Sequence, residues 1–206
     1  MKKMRYTVRD WVYIGLFGAL WGVIEISLGT LLHVLLPPLA NTFFTGIILT
    51  CIGCIIALCS RFVIQRRGSI LLIGVITAIL KLVSPGGVKI GPIAAIVMES
   101  ALMEGVLLLA SKKRAPGFMA AGALALVWNF LHRFVMLRLL YGKHFTDVAM
   151  KMAKSGSRSF GIGESGITLV LVLMLVVQIA AGAAAGFLAW KLGKEIAGRM
   201  EARGDG

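Results

Sequence analysis

Six long apolar segments alternate along the chain with shorter stretches rich in glycine, proline or cations. The apolar segments cover residues 11–32, 43–63, 69–83, 92–110, 116–140 and 167–190. About 20 apolar residues in an α-helix cross the hydrocarbon core of a bilayer. Each segment therefore predicts a transmembrane helix, although the third is short. We expect an all-α membrane protein whose residues 1–206 form a single polytopic domain with six transmembrane helices.

Clusters of cations mark alternate ends of these segments. They lie at residues 2–9, 61–67, 112–114 and 191–203. Loops rich in lysine and arginine stay in the cytoplasm, so six spans with both termini in the cytoplasm satisfy all four clusters. The basic N-terminus precedes a segment too long for a signal-peptide core, and we expect that segment to be the first span. The outer loops are then 33–42, 84–91 and 142–166, and the last is long enough for a lid.

Composition agrees with a membrane protein and excludes a soluble one. Hydrophobic residues make up 58% of the chain and charged residues 15%, and the mean hydropathy is +0.90. The formal net charge of +13 is also found in proteins that bind nucleic acid. Here topology and anionic lipid headgroups account for the cations, because they gather beside the helix ends. We therefore expect contact with membrane lipid and no nucleic acid.

Three cysteines lie in the second apolar segment, and Cys51 and Cys54 have the CxxC spacing. Metal or redox use of this pair usually needs a second cysteine pair or a histidine nearby. Neither is present in this segment, so we interpret the cysteines as small packing residues. We expect no disulfide framework, no metal site and no cofactor.

Carboxylates inside the apolar segments are the main functional signal. Glu25, Glu99 and Glu104 lie in such segments, where an ionisable side chain is costly unless it faces the bundle interior or a wet cavity. Counted along the helices at about 1.5 Å per residue, Glu25 and Glu99 lie in the outer half of the membrane. Glu104 lies in the inner half on another helix face. For it we consider a helix contact, a buried ion pair or an inner gate.

Six polar side chains from four predicted helices lie near one outer level: Glu25, Lys81, Glu99, Asn129, His132 and Arg133. We predict that they line a substrate-binding pocket open to the outside. Other roles are open for each of them. Lys81, His132 and Arg133 are also placed to reach the membrane interface, Asn129 to bridge two helices, and Glu99 to form a structural ion pair.

Small residues form a stripe on the first predicted helix: Gly15, Gly18, Ala19 and Gly22. The sixth helix carries a second GxxxG, with Gly182 and Gly186. Such stripes let another helix approach closely. The partner is either a helix of the same bundle or another subunit, and both alternatives stay open.

These features resemble the substrate-binding membrane component, or S component, of energy-coupling factor (ECF) transporters. The resemblance lies in six spans with both ends inside, the small-residue stripe of helix 1 and an outward polar pocket. The segment Gly91–Pro92 leading to Glu99 also resembles the ligand-site region of that family. The resemblance implies a receptor for a vitamin or vitamin precursor in a prokaryotic plasma membrane. It also implies docking of a transmembrane coupling subunit on the stripe, together with two ATP-binding subunits.

An intramembrane enzyme and a membrane scaffold are the alternatives. Residues 163–166 match the GxSG of rhomboid proteases, but all three histidines, His33, His132 and His144, precede Ser165. A serine nucleophile needs a base, and in rhomboids a later helix supplies it, so we expect no enzyme. The chain also lacks the GxxxxGK[ST] phosphate-binding motif, so any ATP hydrolysis belongs to a partner. In a scaffold, the buried charges would serve internal pairing alone.

Overall fold

The computed structural model describes residues 6–35, 44–84, 90–110, 114–141 and 167–204. Within these ranges the chain forms six α-helices and no strand, which confirms the predicted fold class. The helices are α1 (Val8–Leu35), α2 (Gly46–Val63), α3 (Ser69–Leu82), α4 (Ile90–Leu109), α5 (Ala115–Tyr141) and α6 (Ile167–Gly204). All except α3 are long and apolar enough to cross a membrane. The predicted outer loop 142–166 and the GxSG sequence lie outside the described residues.

The sixth helix is longer than its predicted span. It has 38 residues, or about 57 Å at 1.5 Å per residue, whereas a hydrocarbon core is about 30 Å thick. The predicted span ended at residue 190 because the cations that follow mark the lipid boundary. They do not end the helix, since lysine, arginine and glutamate are good helix formers.

Contacts between the helices connect them in a ring in the order α1, α3, α4, α5, α6 and α2. The second helix also packs against α5 and α3, which places it at the centre of the bundle. Bulky apolar side chains with less than 2% of their surface exposed fill the interior, among them Trp21, Leu58, Ile73, Met103 and Phe118. A polar residue on α2 therefore meets several other helices.

The glycines of α6 lie inside this bundle. A Cβ added to Gly182 would collide with the backbone of Gly122 in α5, and one added to Gly186 would collide with the backbone at Phe118. The absence of side chains lets the two helix backbones touch. Of the two alternatives for Gly182 and Gly186, docking on another subunit or packing within the bundle, this contact supports packing within the bundle.

The four residues of the α1 stripe do not share one environment: two pack within the bundle, and two are partly exposed. A Cβ at Gly18 would lie 2.8 Å from the Ile76 side chain of α3, and one at Gly22 would lie 2.7 Å from Leu80. Both glycines are buried, so their predicted docking role is corrected to packing within the bundle. Gly15 has no neighbour within 4 Å of its Cβ position, and it is half-exposed, as is Ala19. These two residues remain accessible to a partner.

Glu104 holds the loop between α2 and α3, at the end of the bundle that the topology predicts to be cytoplasmic. Its carboxylate lies 3.3 Å from Nη1 of Arg61. It also accepts hydrogen bonds from the backbone N–H groups of Gly68, at 2.7 Å, and Ile70, at 3.0 Å. Gly68 has a φ of +85°, in the left-handed region that favours glycine. Of the three roles open to Glu104, the structure selects the buried ion pair.

Candidate functional site

Glu99 is the centre of a hydrogen-bonded cluster that joins three helices. Its side chain projects from the apolar helix α4 and is 2% exposed. Oε1 accepts hydrogen bonds from Nδ2 of Asn129 in α5, at 3.0 Å, and from Oγ1 of Thr50 in α2, at 3.2 Å. The Asn129 amide also donates to Thr50 Oγ1 at 2.9 Å. We call Thr50, Glu99 and Asn129 the Glu99 cluster.

The orientation of the Asn129 amide follows from these contacts. Nδ2 lies within hydrogen-bond distance of two oxygen atoms, Thr50 Oγ1 and Glu99 Oε1, and only the NH₂ end of the amide is able to donate. The carbonyl oxygen Oδ1 must therefore point away from Glu99. It is buried and has no hydrogen-bond partner among the residues that the structure describes.

Arg133 lies one turn beyond Asn129 on α5 and crosses Gly46 at the start of α2. A Cβ on Gly46 would collide with the guanidinium group and would lie 2.8 Å from Asn129 Oδ1. Glycine at this position thus lets the arginine side chain approach the α2 backbone. The guanidinium is close enough to Glu99 for the two opposite charges to interact, so Arg133 adds positive charge beside the Glu99 cluster.

His132 occupies the same end of α5 and is 7% exposed. Its Nε2 lies 3.9 Å from the Cβ position of Gly91 at the start of α4, and its ring lies 5.7 Å from that of Trp128. The imidazole also interacts with the backbone of Gly91. It therefore faces the protein interior beside the start of α4.

Glu25 and Lys81 form an ion pair between α1 and α3. Nζ of Lys81 lies 3.4 Å from Oε1 of Glu25 and donates to the Glu25 backbone carbonyl at 3.0 Å. Their side chains are 11% and 10% exposed, respectively. The Cβ position of Gly29 lies 3.7 Å from Lys81 Nζ and 3.4 Å from Leu49, the chain neighbour of Thr50, so the pair lies beside the Glu99 cluster. Lys81 is engaged within the protein, as opposed to reaching the membrane interface.

The predicted site residues thus form a polar layer from five helices that consists of the Glu99 cluster with Arg133, the Glu25–Lys81 ion pair, and His132 beside Gly91. We define this layer as Glu25, Thr50, Lys81, Glu99, Asn129, His132 and Arg133. Sequence analysis did not identify Thr50 or Gly46. A threonine is a weak signal inside a membrane helix, because its hydroxyl is able to bond the backbone of its own helix. Gly46 has no chemistry of its own and matters only for the space that it leaves.

Two of the three cysteines of α2 contact the backbone of α6. Cys51 and Cys59 direct their thiols at the carbonyl oxygens of Ala181 and Ala189 in α6. All three cysteines are free. In the described ranges, no group of three or more histidine, cysteine, aspartate or glutamate side chains is placed to hold a metal ion.

Comparison with known proteins gives a match in structure alone. No protein-family model matches the chain, and no curated protein matches it in sequence. A solved structure described as "Crystal structure of an S-component of ECF transporter" superposes with a TM-score of 0.61 and 19% identity. The match covers 97% of this chain and 88% of that chain.

The chain has the fold of an ECF transporter S component. The resemblance inferred from spans, stripe and pocket is confirmed at the level of the fold. Five membrane-crossing helices in an S-component fold indicate a multi-pass membrane protein. The matching structure belongs to a transporter component, which is a different class from an enzyme.

Proposed function

We propose that the chain is the substrate-binding subunit of an ECF-type transporter and binds a small polar substrate at the polar layer. The observation that supports this most is the convergence of polar side chains from five helices inside an apolar bundle. Buried polar atoms in native proteins nearly always have partners. Asn129 Oδ1 has none among the described residues, and a substrate would supply one.

The chemistry of the layer favours a substrate that donates hydrogen bonds. The Glu99 carboxylate and Asn129 Oδ1 are acceptors, so they suit an amine, an amide or an aminopyrimidine-like group. His132 and Arg133 carry N–H donors that suit a carbonyl or anionic group of the substrate, whereas Lys81 pairs with Glu25. A vitamin or vitamin precursor combines such groups, and burial in a low dielectric strengthens each of these contacts.

The proposed receptor works with partners. An S-component fold without a phosphate-binding loop implies a transmembrane coupling subunit and two ATP-binding subunits, which would drive transport. Gly15 and Ala19 are the residues of the α1 stripe that stay partly exposed, and we propose that the coupling subunit docks there. Both termini then lie in the cytoplasm of a prokaryotic cell, and the polar layer opens to the outside of the cell membrane.

Native mass spectrometry tests the proposed function. The purified protein, incubated with yeast extract as the source of micronutrients, should carry one bound small molecule. Glu99→Gln should reduce this fraction at least tenfold, because the amide is a weaker acceptor and lacks the charge. Ser100→Ala is the matched control, since Ser100 is the buried neighbour of Glu99 and its hydroxyl donates only to Val97 of the same helix.

Two results would contradict the proposal. A wild-type protein that binds nothing from the extract would favour a membrane scaffold, in which the pairs Glu25–Lys81 and Arg61–Glu104 serve folding alone. Equal binding by wild type and Glu99→Gln, with the control also unchanged, would place the substrate elsewhere.

A further inference from the structure

Gln178 is a buried polar residue that the polar layer described so far does not include. It lies on α6, the helix that contributes no residue to that layer, and only 1% of its surface is exposed. Its Oε1 has no hydrogen-bond partner in the described ranges of the chain. Lipid offers no hydrogen bonds either, so the position of this side chain calls for an explanation.

Helix contacts place Gln178 close to the level of Thr50. The helices α2 and α6 run side by side in register, because Cys51 contacts Ala181 and Cys59 contacts Ala189. Thr50 is therefore level with residue 180. Gln178 is two residues away from that level, or about 3 Å along the helix axis at 1.5 Å per residue.

The side chain of Gln178 faces the bundle on the side where α2 and α5 lie. It begins the buried stripe of α6, which continues with small residues at helical spacing: Gly182, Ala185, Gly186 and Ala189. Gly182 and Gly186 touch α5, and Ala181 and Ala189 touch α2. The second and fifth helices also carry Thr50 and Asn129 of the Glu99 cluster. Gln178 is therefore the one bulky polar side chain that α6 presents to this junction.

We infer that Gln178 is a substrate-contacting residue and that the substrate donates hydrogen bonds to both Gln178 Oε1 and Asn129 Oδ1. This inference rests on the proposed function. It makes the sixth helix part of the binding site. It also narrows the substrate to molecules with at least two N–H or O–H donors, such as an amino-substituted heterocycle, because both oxygens only accept hydrogen bonds.

Gln178→Met separates a binding role from a structural one. Methionine has a similar length and fits a membrane helix, but it accepts hydrogen bonds only weakly. Binding from yeast extract, read by native mass spectrometry, should fall at least tenfold. The melting temperature of the ligand-free protein should stay the same or rise, because the substitution removes an unpaired buried polar atom.

Thr77→Val is the matched control with the opposite expectation. The Thr77 hydroxyl is fully buried and lies within hydrogen-bond distance of the carbonyl oxygens of Gly18 in α1 and Ile73 in its own helix, so it has partners within the bundle. Its loss should lower the melting temperature and leave the bound fraction of the folded protein unchanged. This control shows that the binding assay does not simply follow stability.

Three results would overturn the inference. Undiminished binding by Gln178→Met would show that Gln178 does not contact the substrate, while the proposed function would stand. A lowered melting temperature of ligand-free Gln178→Met would assign Gln178 a structural role. If the wild-type protein bound nothing, the proposed function would fail and this inference with it.

Discussion

Replacing Lys81 alone should destabilise the protein more than replacing Lys81 and Glu25 together. The two side chains form an ion pair with Nζ and Oε1 3.4 Å apart, and both are about nine-tenths buried. Lys81→Met leaves the Glu25 carboxylate inside the bundle without its cation. The double variant Lys81→Met with Glu25→Gln removes both charges and nearly conserves the volumes of the side chains.

The size of the difference follows from the burial of the pair. Removing one partner of a buried ion pair costs about 3–5 kcal/mol, whereas replacing both partners by uncharged groups is often neutral. For a chain of about 200 residues, 1 kcal/mol corresponds to roughly 2–4 °C in melting temperature. The single variant should therefore melt about 6–20 °C below the wild type, and the double variant should recover most of this loss.

The free cysteines provide the assay. Cys54 and Cys59 are buried in the folded protein, so a thiol-reactive fluorescent dye labels them as the bundle unfolds in detergent. Ligand-free wild type, both single variants and the double variant complete a thermodynamic cycle that isolates the pair. A double variant that melts at the temperature expected from adding the two single losses would refute the pairing. It would release Lys81 for a role in substrate binding.

Three further predictions address buried contacts and the docking surface. Glu104→Leu should lower stability by about 3–5 kcal/mol, because it leaves the N–H groups of Gly68 and Ile70 unpaired and removes the ion-pair partner of Arg61; thermal melting measures this loss. Gly182→Leu should prevent accumulation of folded protein, because its Cβ would collide with the α5 backbone. Gly15→Leu should fold but no longer co-purify with the coupling and ATP-binding subunits. Size-exclusion chromatography measures both outcomes.

Each of these predictions has a result that contradicts it. A Glu104→Leu protein as stable as the wild type would remove the proposed anchor of the loop between α2 and α3. Folded Gly182→Leu protein would show that α5 and α6 do not touch at this glycine. Normal co-purification of Gly15→Leu would move the docking surface away from the exposed part of the α1 stripe.

The helices were predictable because a long apolar segment in a chain this hydrophobic has few stable structures other than a membrane helix. The lengths of the helices were less predictable, as α6 shows. Hydropathy indicates where the lipid ends, but it does not indicate where the helix ends. Counting along each helix predicted a similar depth in the membrane for these polar residues, among them Glu25 and Glu99. Counting along helices gives depth alone, so it selected candidates for the polar layer without pairing them.

Which helices lie side by side could be learned only from the structure. The pairing of Lys81 with Glu25 depends on α1 lying beside α3, which neither helix specifies through its own hydropathy. A stripe of small residues looks the same whether it meets its own bundle or a partner, so the sequence left both alternatives open for Gly18 and Gly182, which pack internally. Thr50 joined the Glu99 cluster only once α2 was known to occupy the centre of the bundle.

An experimentally determined structure of the protein loaded from yeast extract tests the central claim most directly. The account predicts density for one small molecule within hydrogen-bond distance of Glu99 and of Asn129 Oδ1, surrounded by residues of the polar layer. Ligand density bound outside that layer, with the Glu99 cluster unchanged and closed, would contradict it.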